Sequence, residues 1–152
     1  MKKIQFISGT FSLMLLLLLN SCAPTKDALV ISEEEKKTFE ITEGEAVEIK
    51  SEAVEYEPVI IDPGYNTWLR GFARPKGYYS KAFLENRNNF WVQEWNRRVM
   101  GPGYGDVRLY EMQINYDPGI DYGYDLNYEL YNYFIYFQRR YGQRLGTWIP
   151  RI

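Results

Sequence analysis

The stretch Asp125–Gly142, "DLNYELYNYFIYFQRRYG", decides how the chain is read. Leu126, Leu130, Phe134 and Phe137 recur at i, i+4, i+8 and i+11, a spacing that lines them along one stripe of an α-helix. Asp125 and Glu129 stand at its beginning and Arg139 and Arg140 at its end, where the helix dipole favours each sign of charge. The pattern predicts a helix from about Asp125 to about Gly142. A second helix is predicted over Ser80–Met100, with Leu84, Trp91, Trp95 and Val99 at helical spacing and Phe83 and Phe90 beside them on one broad buried face. Ser80 can cap the free N–H groups at its start. Gly101-Pro102 ends it, through a left-handed glycine followed by a residue that cannot continue the helix.

Between and before these helices the sequence reads as extended. Tyr56–Asp62, "YEPVIID", has strand character, with Pro58 confining it to an edge or a bulge. Asp62-Pro63-Gly64 is a turn, and Trp68, Leu69 and Phe72 suit one or two helical turns. Val107–Tyr116, "VRLYEMQINY", is again extended in character. These elements predict a small α+β domain over residues 54–152, dominated by two long helices with one or more short strands. No period of 20–50 residues marks a repeat array.

The amino end differs in kind. Met1-Lys2-Lys3 precedes an apolar run from Phe11 to Leu19, too short for the roughly 20 residues that span a bilayer but matched to a secretory signal over residues 1–21. Leu19-Asn20-Ser21-Cys22 resembles a bacterial lipobox, in which the cysteine sulfur is acylated and the chain is cut just before it. Cys22 is the sole cysteine, so it has no intramolecular disulfide partner. Acyl chains on Cys22 would hold the mature protein on a membrane without a span, because each buried methylene adds about 0.8 kcal/mol. Ala23, and not an acidic residue, follows the cysteine, which points to the outer membrane and its periplasmic face. From Ala23 to Glu57 four lysines face eleven carboxylates, whereas Pro58–Ile152 carries a net +3. High charge with few aromatics predicts that residues 22–53 are mostly a disordered acidic tether; the alternation in "KTFEITEGEAVEIK" (37–50) leaves a hairpin as the alternative.

Composition restricts the chemistry. There is no histidine, which removes the usual Ser-His-Asp and Cys-His catalysts and His-based zinc sites. No phosphate-binding glycine loop stands in its proper context. No catalytic residue, metal or cofactor is therefore expected, and nucleic acid is not expected as a partner. Ten of the fourteen tyrosines lie between Tyr104 and Tyr141. Tyr116, Tyr122 and Tyr124, with Asp117, Asp121 and Asp125, form the candidate ligand surface: aromatic faces with nearby carboxylates suit sugars, while three acids four apart raise a calcium site. The plainer reading is packing, with the aspartates in turns and caps. Glu85, Glu94, Glu111 and Asp121 are the candidates for a carboxylate-pair hydrolase, although Glu94 has Arg97 and Arg98 one turn away. Arg70, Arg74, Arg87, Arg97 and Arg98 could face lipid phosphates or pair with the acidic tether. The expected role is structural or protein-binding at the envelope, with another envelope protein as partner; the alternative is a glycan- or peptidoglycan-binding module.

The segments "VIIDPGYNTWL", "ARPKGYYS", "ENRNNFWVQEWNRRV" and "LYEMQINYDPGIDYGYDLNYELYNYFIYFQ" resemble a family of small Gram-negative lipoproteins known only as a domain of unknown function. The resemblance covers about residues 54–145. It implies a lipid anchor, in agreement with the lipobox, and assigns no activity, substrate or catalytic residue.

Overall fold

The computed structural model describes residues 29–41, 47–48, 59–60, 62–101 and 109–152; Cys22 and the signal-like segment lie outside them. Within this set the chain forms four helices: α1 (Glu33–Phe39), α2 (Tyr65–Phe72), α3 (Lys81–Met100) and α4 (Gly123–Arg140). Both long helices stand where the apolar spacing puts them. Ser80 caps α3, its Oγ accepting from the Phe83 N–H at 3.3 Å. Gly101 is extended and not left-handed (φ −102°, ψ 127°), as expected of a residue whose α-region is closed off by the proline that follows. The left-handed stop occurs instead after α4. Gly142 has φ +59°, and the Gln143 N–H reaches back to the Gln138 carbonyl at 2.9 Å, which satisfies a free end of the helix.

α4 is the centre of the molecule. Its sequence stripe suggested one buried face, yet Leu126, Tyr128, Leu130, Tyr131, Phe134, Ile135, Tyr136 and Phe137 are all buried, so most of its circumference is enclosed. α3 covers one side with Leu84, Trp91, Val92 and Trp95. Trp91 stacks on Tyr131 with ring centroids 5.2 Å apart, and Trp95 meets Phe137 at 4.7 Å. α2 packs against α4 and α1 against α2; Tyr136 contacts Phe39, Tyr65 and Trp68 with centroids 5.5–5.6 Å apart. Phe90, assigned by its spacing to the α3 core face, is instead partly exposed and packs on Trp148 at 4.5 Å.

The α+β expectation is corrected: the described residues make a helical fold. Their strand pairing is confined to a two-residue antiparallel ladder, β1 (Val47–Glu48) with β2 (Val59–Ile60), in register Val47↔Ile60 and Glu48↔Val59. That is too small to form a layer of its own. The described part of the 107–116 segment has no strand neighbour because side chains of α3 take that place. The Asn96 amide donates to the Ile114 carbonyl and accepts from the Ile114 N–H, both at 2.8 Å, and the Trp95 indole donates to the Met112 carbonyl at 2.9 Å. One amide thus satisfies both backbone groups that a ladder would otherwise occupy.

Part of the acidic stretch assigned to the tether is an element of the fold. Ser32 caps α1 by accepting from the Glu35 N–H at 3.1 Å. Glu35 is fully buried and receives the Arg139 guanidinium through two bonds of 2.5 Å, plus the Trp68 indole N–H at 2.8 Å. Lys37–Phe39 lie in α1, so a hairpin over 37–50 does not form as drawn; residues 42–46 and 49–50 of it lie outside the described residues. Arg139 and Arg140, read as dipole partners, bind distant acids: Arg140 pairs with buried Asp62, which also accepts from the Tyr136 hydroxyl at 2.6 Å. The Asp62-Pro63-Gly64 turn closes with the Tyr65 N–H on the Asp62 carbonyl at 3.0 Å. A Cβ at Gly64 would fall well inside van der Waals contact of the Thr38 carbonyl oxygen and 2.8 Å from the Tyr136 hydroxyl oxygen. Only glycine lets α1 approach so closely.

Two outcomes follow for thermal or urea unfolding. Glu35→Ala strands a buried guanidinium and should cost about 3–5 kcal/mol, whereas Glu35→Gln combined with Arg139→Met, which removes both charges, should recover most of that loss. Gly64→Ala should cost about 1–3 kcal/mol by overpacking the α1–α2 junction.

Candidate functional site

The tyrosine–aspartate segment forms a set of clips around the start of α4. Tyr116 stacks on Tyr122 with centroids 4.9 Å apart, and Tyr122 is buried with its hydroxyl accepting from the Asp117 N–H at 3.0 Å. The Tyr116 hydroxyl donates to Asn127 Oδ1 at 2.8 Å, and burial raises its pKa above the ordinary phenolic value. The Tyr124 hydroxyl accepts from the Gly77 N–H at 2.7 Å and donates to the Tyr79 carbonyl at 3.2 Å. The three aspartates diverge. Asp117 Oδ1 accepts from the Gly119 N–H at 2.7 Å, Asp121 takes the Lys81 ammonium on both oxygens at 2.6 Å, and Asp125 takes Lys76 at 2.7 Å. The hydrogen bond from Lys81 holds the Asp121 carboxyl below its usual range. Among the described residues no three acids, cysteines or histidines gather as a metal site. The structure therefore joins Tyr116 to Tyr122 and leaves Asp117, Asp121 and Asp125 with separate partners. Their geometry pins the 73–81 loop and the 117–122 turn to α4.

Two of the other candidate acids, Glu85 and Glu94, are also engaged. Glu94 is gripped by Arg97 at 2.8 Å and Arg98 at 2.9 Å, which lowers its pKa. Arg98 continues inward to the Tyr110 hydroxyl at 2.6 Å and to the Arg144 carbonyl. Lys81 stands between Asp121 and Glu85, the latter at 3.7 Å, and Glu111 is exposed. Glu129 went unremarked as a site in the sequence because it sits where a helix start wants an acid. Half-buried beside α2, it has its pKa raised by loss of hydration, with Lys76 opposing.

A second surface was invisible in the sequence because it joins three separate segments. Arg74 lies 5.1 Å from the Tyr78 ring, Tyr78 meets Tyr79 at 4.7 Å, and Tyr79 stacks on Phe83 at 4.5 Å. The Arg87 guanidinium is 5.3 Å from the Phe83 ring and 3.8 Å from the Trp148 ring, which in turn meets Phe90. Two guanidiniums thus flank a run of rings that passes from the loop before α3 onto α3 and Trp148, with Tyr78, Phe90 and Trp148 exposed. Cation–π contacts of this kind contribute about 0.5–1 kcal/mol each at exposed sites and hold the rings in place. Of the five arginines proposed to meet either the tether or phosphates, Arg97 and Arg98 are held by Glu94, Arg70 is exposed, and Arg74 and Arg87 belong to this ladder.

Glu129 offers a pH test. Its folded-state pKa is raised, so stability should increase as pH falls through that value and be lost again as pH rises through it. Glu129→Gln should raise Tm at neutral pH and flatten the Tm–pH curve in that window, as followed by circular dichroism.

A family model described as a family of unknown function (DUF6146) matches residues 10–148. No curated protein and no solved structure matches the chain. The matched span reaches well upstream of the 54–145 resemblance and takes in Cys22, α1 and all three later helices. The chain belongs to this family of unknown function.

Proposed function

We propose that this is a lipid-anchored protein of a Gram-negative cell envelope, cut before Cys22, acylated on its sulfur and held at the periplasmic face of the outer membrane. The observation that carries the reading is Leu19-Asn20-Ser21-Cys22 directly behind the Phe11–Leu19 apolar run, with the only cysteine of the chain at the acceptor position. Among the described residues no helix is long and apolar enough to cross a membrane. The role is structural or protein-binding, not catalytic. Supporting this, the chain has no histidine, and most of the candidate acids, Glu85, Glu94 and Asp121 among them, face lysine or arginine. The domain offers a rigid helical body with a preformed aromatic–arginine face.

Metabolic labelling with a palmitate analogue tests the anchor. The wild-type chain should take up label and fractionate with envelope membranes, and Cys22→Ser should take up none and move to the soluble fraction. A Cys22→Ser protein that is still trimmed and still sediments with membranes would refute the assignment.

A further inference from the structure

We infer that the Arg74–Tyr78–Arg87–Trp148 face lies against the bilayer surface to which the chain is anchored, with its guanidiniums on lipid phosphates and Trp148 at the headgroup level. This rests on the acylation of Cys22 proposed above. The first observation is where the chain leaves the fold. Arg139 donates to the Val30 carbonyl at 3.0 Å and to the Pro150 carbonyl at 3.1 Å, so the start of the folded chain and its C-terminal tail share one guanidinium. Pro150 is two residues from both Trp148 and Ile152, and Arg74 donates to the Ile152 carbonyl at 3.1 Å. Val30 thus lies next to the C-terminal tail that carries Trp148.

The second observation is reach. Val30 lies eight residue steps after Cys22, and in any conformation these span at most about 26–29 Å. A short linker of this kind sets an effective concentration on the order of millimolar, at which even a weak affinity keeps a face seated. The third observation is chemistry. Exposed tryptophan and tyrosine beside arginine match the interface, where an amphipathic ring settles at headgroup depth and a guanidinium meets phosphate through paired N–H groups. Val30 is almost fully exposed, as is much of Tyr78. In the first turn of α1, Glu33 is paired with Lys36 at 2.6 Å and Glu34 is exposed.

The four tryptophans make the test selective, because Trp68, Trp91 and Trp95 are buried and Trp148 alone is exposed. The mature lipoprotein is reconstituted into phosphatidylethanolamine–phosphatidylglycerol vesicles, with and without brominated acyl chains. Brominated lipid should quench part of the emission, Trp148→Phe should abolish that part, and Arg74→Ala with Arg87→Ala should reduce it severalfold. Equal emission from both vesicle types, with the protein still sedimenting, overturns the seated face and leaves the anchor standing. Failure of the unmodified protein to sediment at all, with no acyl group on Cys22, overturns both. Protection of Trp148 from acrylamide by soluble peptidoglycan fragments, with no effect of brominated lipid, assigns the face to glycan and overturns the bilayer assignment.

Discussion

The buried contact between Glu35 and Arg139 is the constraint on which the rest of this fold depends. It joins residues 104 positions apart, and both side chains are almost fully withdrawn from water. Desolvating two charges is costly, and the geometry must offset it. Here two parallel N–H···O bonds, the Trp68 indole and two backbone carbonyls satisfy the donors and acceptors that burial exposes to loss. Arg140, the next residue, does the same for Asp62 on the neighbouring segment. A single turn at the end of α4 therefore fixes α1, the loop before α2 and the C-terminal tail.

Tyrosine makes this arrangement workable. A helix enclosed on most sides by apolar residues alone would leave nothing to hold the surrounding loops in register. The tyrosines of α2 and α4 instead bury their rings and spend their hydroxyls on backbone and side-chain acceptors: Tyr65 on the Glu129 carbonyl, Tyr128 on the Arg74 carbonyl, Tyr136 on Asp62. Each supplies both apolar area and a directional bond. Among the described residues, the tyrosines from Tyr110 to Tyr141 all take part in packing or hydrogen bonds within the fold.

The long helices were legible because their signals are local: Ser80 as cap, Leu84–Trp91–Trp95 as spacing, Gly142 as stop. The fold class was not, because strand character in "LYEMQINY" says only that the backbone is extended, and the side chain of Asn96 supplied the partner that a strand was assumed to supply. The acidic segment was misread for a related reason. Averaged over residues 22–53 its charge argues for solvation, and one buried glutamate is lost in that average. Ser32-Glu33-Glu34-Glu35 does carry the serine-x-x-glutamate pattern of a helix start, a local signal that pointed to α1. The Arg74–Trp148 ladder had no such signal, since it exists only once the C-terminal tail has folded back onto α3.

The sequence distance between Glu35 and Arg139 also orders events in time. During synthesis α1 is made early, but its partner arrives only when nearly the whole chain has been completed, so the buried acid has nothing to neutralise it until then. Pairings this remote slow the closing of a fold. A core whose lock spans most of the described fold closes only after α4 has been made, so α1 waits for its partner.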